Sequence, residues 1–193
     1  LDIMSMIKKS KRPVIIAGWG VHLSKTQSDF IKFAEDLNLP IALTWGAADL
    51  ISFDHELYIG TFGTHGNRHA NFAVQNADLI ISFGSRLDTK STGSPVNTFA
   101  RKAKKIMVEI DINELNKFQK FDLKFDKLIH CDLKDFFGEV QKINIQKFFK
   151  KHDIWINKIN QWKELFNAFD DRKNLLTNQV NPYNFVDRIS DNL

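Results

Sequence analysis

The sequence predicts an α/β protein: a doubly wound parallel sheet with helices on both faces and a helical extension at its C-terminal end. Two observations carry this. Short runs of consecutive apolar residues recur between stretches of helical spacing, and unbroken runs of this kind mark strands buried on both faces. Most of these runs end at glycine, at an acidic residue or in a polar turn, as parallel strands do where they open into βα turns. Parallel strands joined through helices cross over right-handed, which gives the doubly wound form.

The first strand is Val14–Ala17, closed by the turn Gly18-Trp19-Gly20. Ser24 reads as a helix cap with Gln27 three residues on as its partner. In the helix that follows, Phe30, Phe33, Ala34 and Leu37 share one face. Beyond Pro40, Ile41–Thr44 is the second strand. A Gly-rich turn and a short helix lead to the third, Leu79–Phe83, closed by Gly84. Lys105–Ile110 is the fourth and Lys127–His130 the fifth, with a helix from Asp132 to Ile143 after it. Past Asn144 helical spacing continues through Phe148, Trp155, Ile159, Trp162, Phe166 and Phe169, an apolar stripe expected to fold back on its domain or to pair with a second copy. Leu175–Val180 reads as a connector, and Asn181 with Pro182 opens a last helix. The expected organisation is a Rossmann-like domain over 1–143, a helical linker over 144–180 and the first helix of a further domain over 181–193. The missing initiator Met and the single amphipathic helix at the end make a piece of a larger protein the expectation.

A chain of 193 residues, 43% of them hydrophobic, can bury the core of one domain. No apolar run approaches the roughly 20 residues of a membrane span, so a membrane is not an expected partner. Cys131 is the only cysteine, which excludes an internal disulfide and fits a reducing, cytoplasmic compartment. The net charge of +4 is spread over small clusters such as Lys8-Lys9, Lys11-Arg12 and Lys104-Lys105. None interleaves with aromatics as a nucleic-acid groove would, so nucleic acid is not an expected partner either.

In an open parallel sheet, ligands sit beyond the carboxyl ends of the strands. There the sequence places Gly18 and Gly20, Thr44 and Trp45, Gly84, Ser85, Arg86 and Asp88, Glu109, Ile110 and Asp111, then Cys131 and Asp132. Glycines let a backbone approach a pyrophosphate, and helix N-termini offer it free N–H groups. The Arg86 guanidinium is a planar fork for phosphate, and Glu109 can accept from ribose hydroxyls. Together they describe a nucleotide site. Plainer readings stand beside this one. Gly18-x-Gly20 lacks the full dinucleotide fingerprint, strand-ending glycines also serve simply as turns, and Arg86 and Asp88 could pair with each other. His65, between two glycines, reads as a turn residue or a ring lying against a ligand; no second metal ligand accompanies it at a recognisable spacing. No nucleophile elbow, phosphate-binding G-x-x-x-x-G-K-[ST] loop or carboxylate pair is present, so no catalytic residue is assigned.

Several segments, in order, resemble the middle domain of thiamine diphosphate-dependent enzymes of the acetolactate synthase type. They are Lys11-Arg-Pro-Val-Ile-Ile-Ala-Gly-Trp-Gly-Val21, Leu39-Pro-Ile-Ala-Leu-Thr44, Asp54-His55 before Gly60, and Ala77-Asp-Leu-Ile-Ile-Ser-Phe-Gly-Ser-Arg-Leu-Asp88. Phe62-Gly-Thr-His-Gly66 with Ala70-Asn71 is similar to the flavin-contacting loop, which brings in Gly63, Thr64, His65 and Gly66. Glu109-Ile-Asp111, Glu114 and Lys117, then Trp155, Trp162-Lys163 and Asn181-Pro-Tyr-Asn-Phe185, extend the likeness over nearly the whole chain. The chain departs from the family pattern at Thr64, Thr89, Lys90, Ile112 and Asn116, which are flavin-side or turn positions.

The resemblance implies a parent enzyme, a homo-oligomer, that decarboxylates a 2-oxo acid with thiamine diphosphate and Mg²⁺ and passes the product to an acceptor. One such route makes acetolactate for branched-chain amino acid biosynthesis. It implies a cleft in this domain that holds FAD without a redox part in that cycle; other members hold ADP or CoA there, or nothing. The activating glutamate and the Gly-Asp-Gly…Asn motif for the diphosphate belong to other domains, and no Gly-Asp dipeptide occurs here. Thiamine diphosphate binding by this chain alone is therefore not expected. Two alternatives remain open: an architectural domain with an empty cleft, and an independent flavin- or nicotinamide nucleotide-binding protein.

Overall fold

The computed structural model describes residues 2–166 and 180–190. Six parallel strands form one sheet: β1 (Pro13–Ala17), β2 (Ile41–Leu43), β3 (Tyr58–Thr61), β4 (Leu79–Phe83), β5 (Lys104–Glu109) and β6 (Lys127–His130). Their order is β3-β2-β1-β4-β5-β6, so the winding reverses between β1 and β4. The five expected strands are all present, and the doubly wound parallel class holds. The sixth, β3, lies in the stretch read as a Gly-rich turn. It is an edge strand of four residues containing Gly60, half-exposed at both ends, and joined to β2 through an irregular register at Ile41/Ala42.

Alternation along the strands divides the core in two. Ile15, Ala17, Ile81, Phe83, Ile106 and Val108 face one side, where α1 (Asp2–Lys9), α3 (Gln27–Leu37) and α7 (Leu133–Gln141) cover them. Val14, Ile16, Ile80 and Met107 face the other, under α4 (Arg68–Asn76) and α8 (Asp153–Leu165). The expected face of α3 is buried as read: Phe30, Phe33, Ala34 and Leu37 are all in the first core. Phe83 anchors that core, with its ring 5.6 Å from Phe30, 5.7 Å from Phe33 and 5.4 Å from Phe136. Each such side chain contributes roughly 1.5–3 kcal/mol by leaving water. Two acids pin the strand starts: Asp78 accepts from the Lys11 and Arg12 amides at 2.8 and 2.9 Å, and Asp126 from the Lys105 amide at 2.9 Å.

Two local expectations are corrected. Ser24 does not cap α3: the chain first makes a short helix, α2 (Gly20–Leu23), and Ser24 is its C-cap, bonded through its hydroxyl to Val21 O and the Thr26 hydroxyl. Thr26 precedes α3 without a side-chain cap bond. The apolar stripe past Asn144 is not one helical face. Phe148, in a 3₁₀ turn over Ile145–Phe148, packs with the first core, whereas Trp155 and Ile159 on α8 are buried in the second. Between them the chain passes the amino edge of the sheet, where the Lys150 ammonium donates to Ser10 O and the Trp155 indole N–H to Pro13 O at 3.0 Å. Trp162 and Phe166 continue the second face against Phe72 of α4, with the Phe72 and Phe166 rings stacked at 5.1 Å. Phe169 and most of the Leu175–Val180 connector lie outside the described residues. α9 (Pro182–Ser190) follows, with Asn181 buried and Phe185, Val186 and Ile189 exposed. No described helix is long and apolar enough to cross a membrane.

Candidate functional site

The reversal between β1 and β4 opens a crevice beyond the carboxyl ends of the strands, the position at which doubly wound sheets take ligands. The cleft there has a volume of about 1000 Å³. Its floor is made by two βα turns in backbone contact. Gly18 N–H donates to Phe83 O at 3.0 Å, and a Cβ on Gly18 would fall 2.2 Å from the Ser85 Cα. No side chain fits between these turns.

Twelve of the expected site residues line the cleft: Gly20 after β1, Thr44 and Trp45 after β2, Thr64 and His65 after β3, Gly84, Ser85, Arg86 and Asp88 after β4, Glu109 and Ile110 after β5, and Asp132 after β6. Gly18, Gly63 and Gly66 do not reach it. Their missing side chains serve the backbone: Gly63, at φ +105°, lies against Lys90 O, and Gly66 against Phe62. The Phe62–Gly66 loop is held by Asn71, whose amide accepts from Gly63 N at 2.8 Å and donates to Gly63 O at 2.9 Å. Thr64 ties the loop onward, its amide and hydroxyl both donating to Lys90 O.

The polar groups divide into occupied and free. Asp88 caps α5 (Thr89–Thr92), accepting from the Ser91 amide at 2.9 Å and the Ser91 hydroxyl at 2.8 Å. It does not pair with Arg86, so that open alternative is decided. Glu109 is buried, and its carboxylate accepts from the amides of Ile110, Arg86 and Asp111 at 3.1, 3.4 and 3.5 Å. It thereby fixes the turn that carries Arg86, whose backbone takes the left-handed φ of +54°. Lys117, at the end of α6 (Ile112–Asn116), supports the same turn from outside, donating to Arg86 O and to the Glu114 carboxylate, both at 2.5 Å. No described residue bonds the Arg86 guanidinium. Ser85 is held by the buried Ser82, hydroxyl to hydroxyl at 2.5 Å.

The rim is apolar. Trp19, Leu23, Trp45 and Ile110 border the cleft and are each at least half exposed. Trp45 and His65 sit with ring centroids 5.6 Å apart. The arrangement offers the Arg86 cation to an anionic group, and aromatic edges to a planar ring. It offers little for covalent chemistry. Burial, then the Asp135 and Asp132 carboxylates, hold the Cys131 thiol above its usual range. No group of three metal-ligating side chains stands together among the described residues.

The sequence reading did not assign Lys90, which lines the cleft from α5 as a second cation, or Leu23 on its rim. Lys90 was visible only as a departure from the family pattern; its approach to the cleft depends on the tertiary contact between α5 and the Phe62–Gly66 loop.

Residues 2–137 match the family model described as thiamine pyrophosphate enzyme, central domain. A probable acetolactate synthase large subunit of Methanococcus aeolicus is 34% identical over 165 residues, 86% of this chain and 27% of that protein. A probable acetolactate synthase large subunit of Methanocaldococcus jannaschii is 31% identical over 184 residues, 94% of this chain and 29% of that protein. The acetolactate synthase large subunit of Lactococcus lactis is 32% identical over 163 residues. The chain thus spans little more than a quarter of the length of these relatives, 27% and 29% in the first two.

Proposed function

Because the chain belongs to the family of thiamine pyrophosphate enzyme central domains, we propose that it is the central domain of an acetolactate synthase-like enzyme, with a cleft for FAD or ADP. In this reading 1–143 is the central domain, 144–180 a helical linker and 181–193 the first helix of the domain that follows. The parent condenses or decarboxylates 2-oxo acids in the cytoplasm as a homo-oligomer, in the manner of an enzyme of branched-chain amino acid biosynthesis. Other domains of the parent hold thiamine diphosphate and Mg²⁺; this chain supplies a nucleotide cleft and an assembly surface, and no catalytic residue.

The observation that carries the cofactor reading is the Arg86 guanidinium, which no described residue bonds, lining the cleft at the β1/β4 reversal on a turn packed against a backbone that only glycine permits. The residues fit a dinucleotide. Arg86 and Lys90 would take the diphosphate; the amides of Gly18, Gly20, Gly84 and Arg86 are bonded within the fold, which leaves those of Trp19 and Ser85 to add to them. Trp45 and His65 would border a planar ring. Glu109 keeps lone pairs for a ribose hydroxyl although three amides already bind it. FAD bound there supplies a flavin ring; this chain's residues position it and exclude water.

The empty-cleft reading draws support from Asp88 and Glu109, whose carboxylates are already satisfied within the fold. Titration with FAD and with ADP, followed by flavin absorbance and by heat, separates the two. Saturable binding of either supports the cofactor cleft. Binding of neither at millimolar concentration leaves an architectural domain.

A further inference from the structure

At the amino edge of the sheet, on the far side from the cleft, a second recess of about 710 Å³ lies where the chain crosses from one face to the other. Five cations line it, Lys11, Arg12, Lys150, Lys151 and Lys158, against one lining carboxylate, Asp153. None of the five makes an ion pair among the described residues. Asp78 spends both oxygens on the backbone amides of Lys11 and Arg12.

His152 forms part of the wall. It is 3% exposed, and neither ring nitrogen has a hydrogen-bond partner among the described residues. Buried polar atoms are rarely left this way, and a specific orphan asks for a ligand. His152 is also the residue at which the 13-residue α8 begins, and its side chain makes no cap bond. The Trp155 amide at that start is taken up by His152 O at 2.8 Å, which leaves the amides of Asp153 and Ile154, both residues of the recess lining, without an acceptor among the described residues.

We propose that this recess binds a phosphate-class anion, such as inorganic phosphate, pyrophosphate or a phosphomonoester, between the His152 imidazole, the start of α8 and the surrounding lysines. The three features converge on one chemistry. Cations supply charge, the helix start supplies aligned amides, and a neutral imidazole supplies one N–H inside the wall. The site is separate from the nucleotide cleft and does not depend on it.

The test is an NMR titration of the chain with inorganic phosphate and with pyrophosphate, at ionic strength held constant with KCl. The readout is the His152 ring resonance, identified by its loss in His152→Asn, or through its own backbone amide should that variant not fold. A saturable shift of this resonance is expected, weakened at least tenfold in Lys151→Ala/Lys158→Ala, two exposed positions whose replacement leaves the core intact. Arg86→Ala is expected to leave it unchanged. The proposal is overturned by an absent shift, by an equal response to KCl alone, or by a shift that Arg86→Ala removes and the lysine pair does not.

Discussion

The Gly20 amide donates to the Gly84 carbonyl at 2.9 Å, and a Cβ added at Gly20 would stand 2.7 Å from the Gly84 Cα. The first two turns of the cleft are thus one unit, closed backbone to backbone. Gly20→Ala must push them apart. An overpacked site of this kind costs about 1–3 kcal/mol. Differential scanning calorimetry is expected to show a Tm several degrees lower, together with weaker nucleotide binding; an unchanged Tm would mean that the turns separate freely.

Arg86→Ala removes a cleft cation that no described residue bonds. A charge-assisted bond to phosphate is worth about 1.5–3 kcal/mol, so Kd for FAD or ADP should rise about tenfold or more while Tm stays within a degree or so. Equal Kd values for the two proteins would remove Arg86 from the site.

Asn71→Ala frees the backbone of Gly63, which the amide grips at both its N–H and its carbonyl. Two bonds of about 1 kcal/mol each are lost. Faster amide exchange over Phe62–Gly66 is the expected signature, with no change in the strands. Exchange rates that match the parent's would show that Thr64 and Lys90 suffice to hold the loop.

Burial drives the pKa of His152 down to about 4, aided by the nearby Lys150 and opposed by Asp78 and Asp153; burial, then Lys163, does the same to His69, also to about 4. The folded chain therefore holds these imidazoles neutral at a pH where the unfolded chain, with an ordinary value of 6.5, takes up protons. Their contribution to stability is complete above pH 6.5 and is lost as pH falls from there toward 4. The limiting slope is about 1.4 kcal/mol per pH unit for each group. Urea unfolding between pH 7.5 and 4.5 should show this decline, and His152→Phe should flatten it. An identical slope in the variant would take His152 out of the account.

Trp155 is 4% exposed in the second core and bonded to Pro13 O. Trp155→Ala should cost about 3–5 kcal/mol in urea unfolding. Leu165→Ala, at a position 73% exposed, should cost almost nothing. Similar losses at both positions would contradict the packing of α8 described here.

Four of the strands, β1, β2, β4 and β5, were legible in the sequence because they are buried along nearly all their length and continuous apolar runs such as Leu79–Phe83 have few other uses; the half-exposed edge strand β6 shows only the pair Leu128-Ile129. β3 escaped because an edge strand needs only half of that signal, and Gly60 interrupts even this. Ser24 misled because its spacing to Gln27 suits a capping box, whereas the close packing of Gly20 on Gly84 starts a helix earlier. At the site, residues at strand ends were placed by topology alone, which explains why Thr44, Arg86 and Glu109 converge. What a glycine is for was not legible. Gly20 borders the cleft while Gly18, Gly63 and Gly66 accommodate neighbouring backbone, and only the tertiary arrangement separates the two uses.

The family match stops at residue 137, yet Trp155 and Ile159 fill the second core beneath β1 and β4. The family model is therefore shorter than the stretch that must be present for one side of the sheet to stay dry. A boundary drawn at residue 137 would strip α8 from Val14, Ile16 and Ile80 and leave a half-clad sheet. Anyone transplanting this module has to carry the chain through at least Leu165.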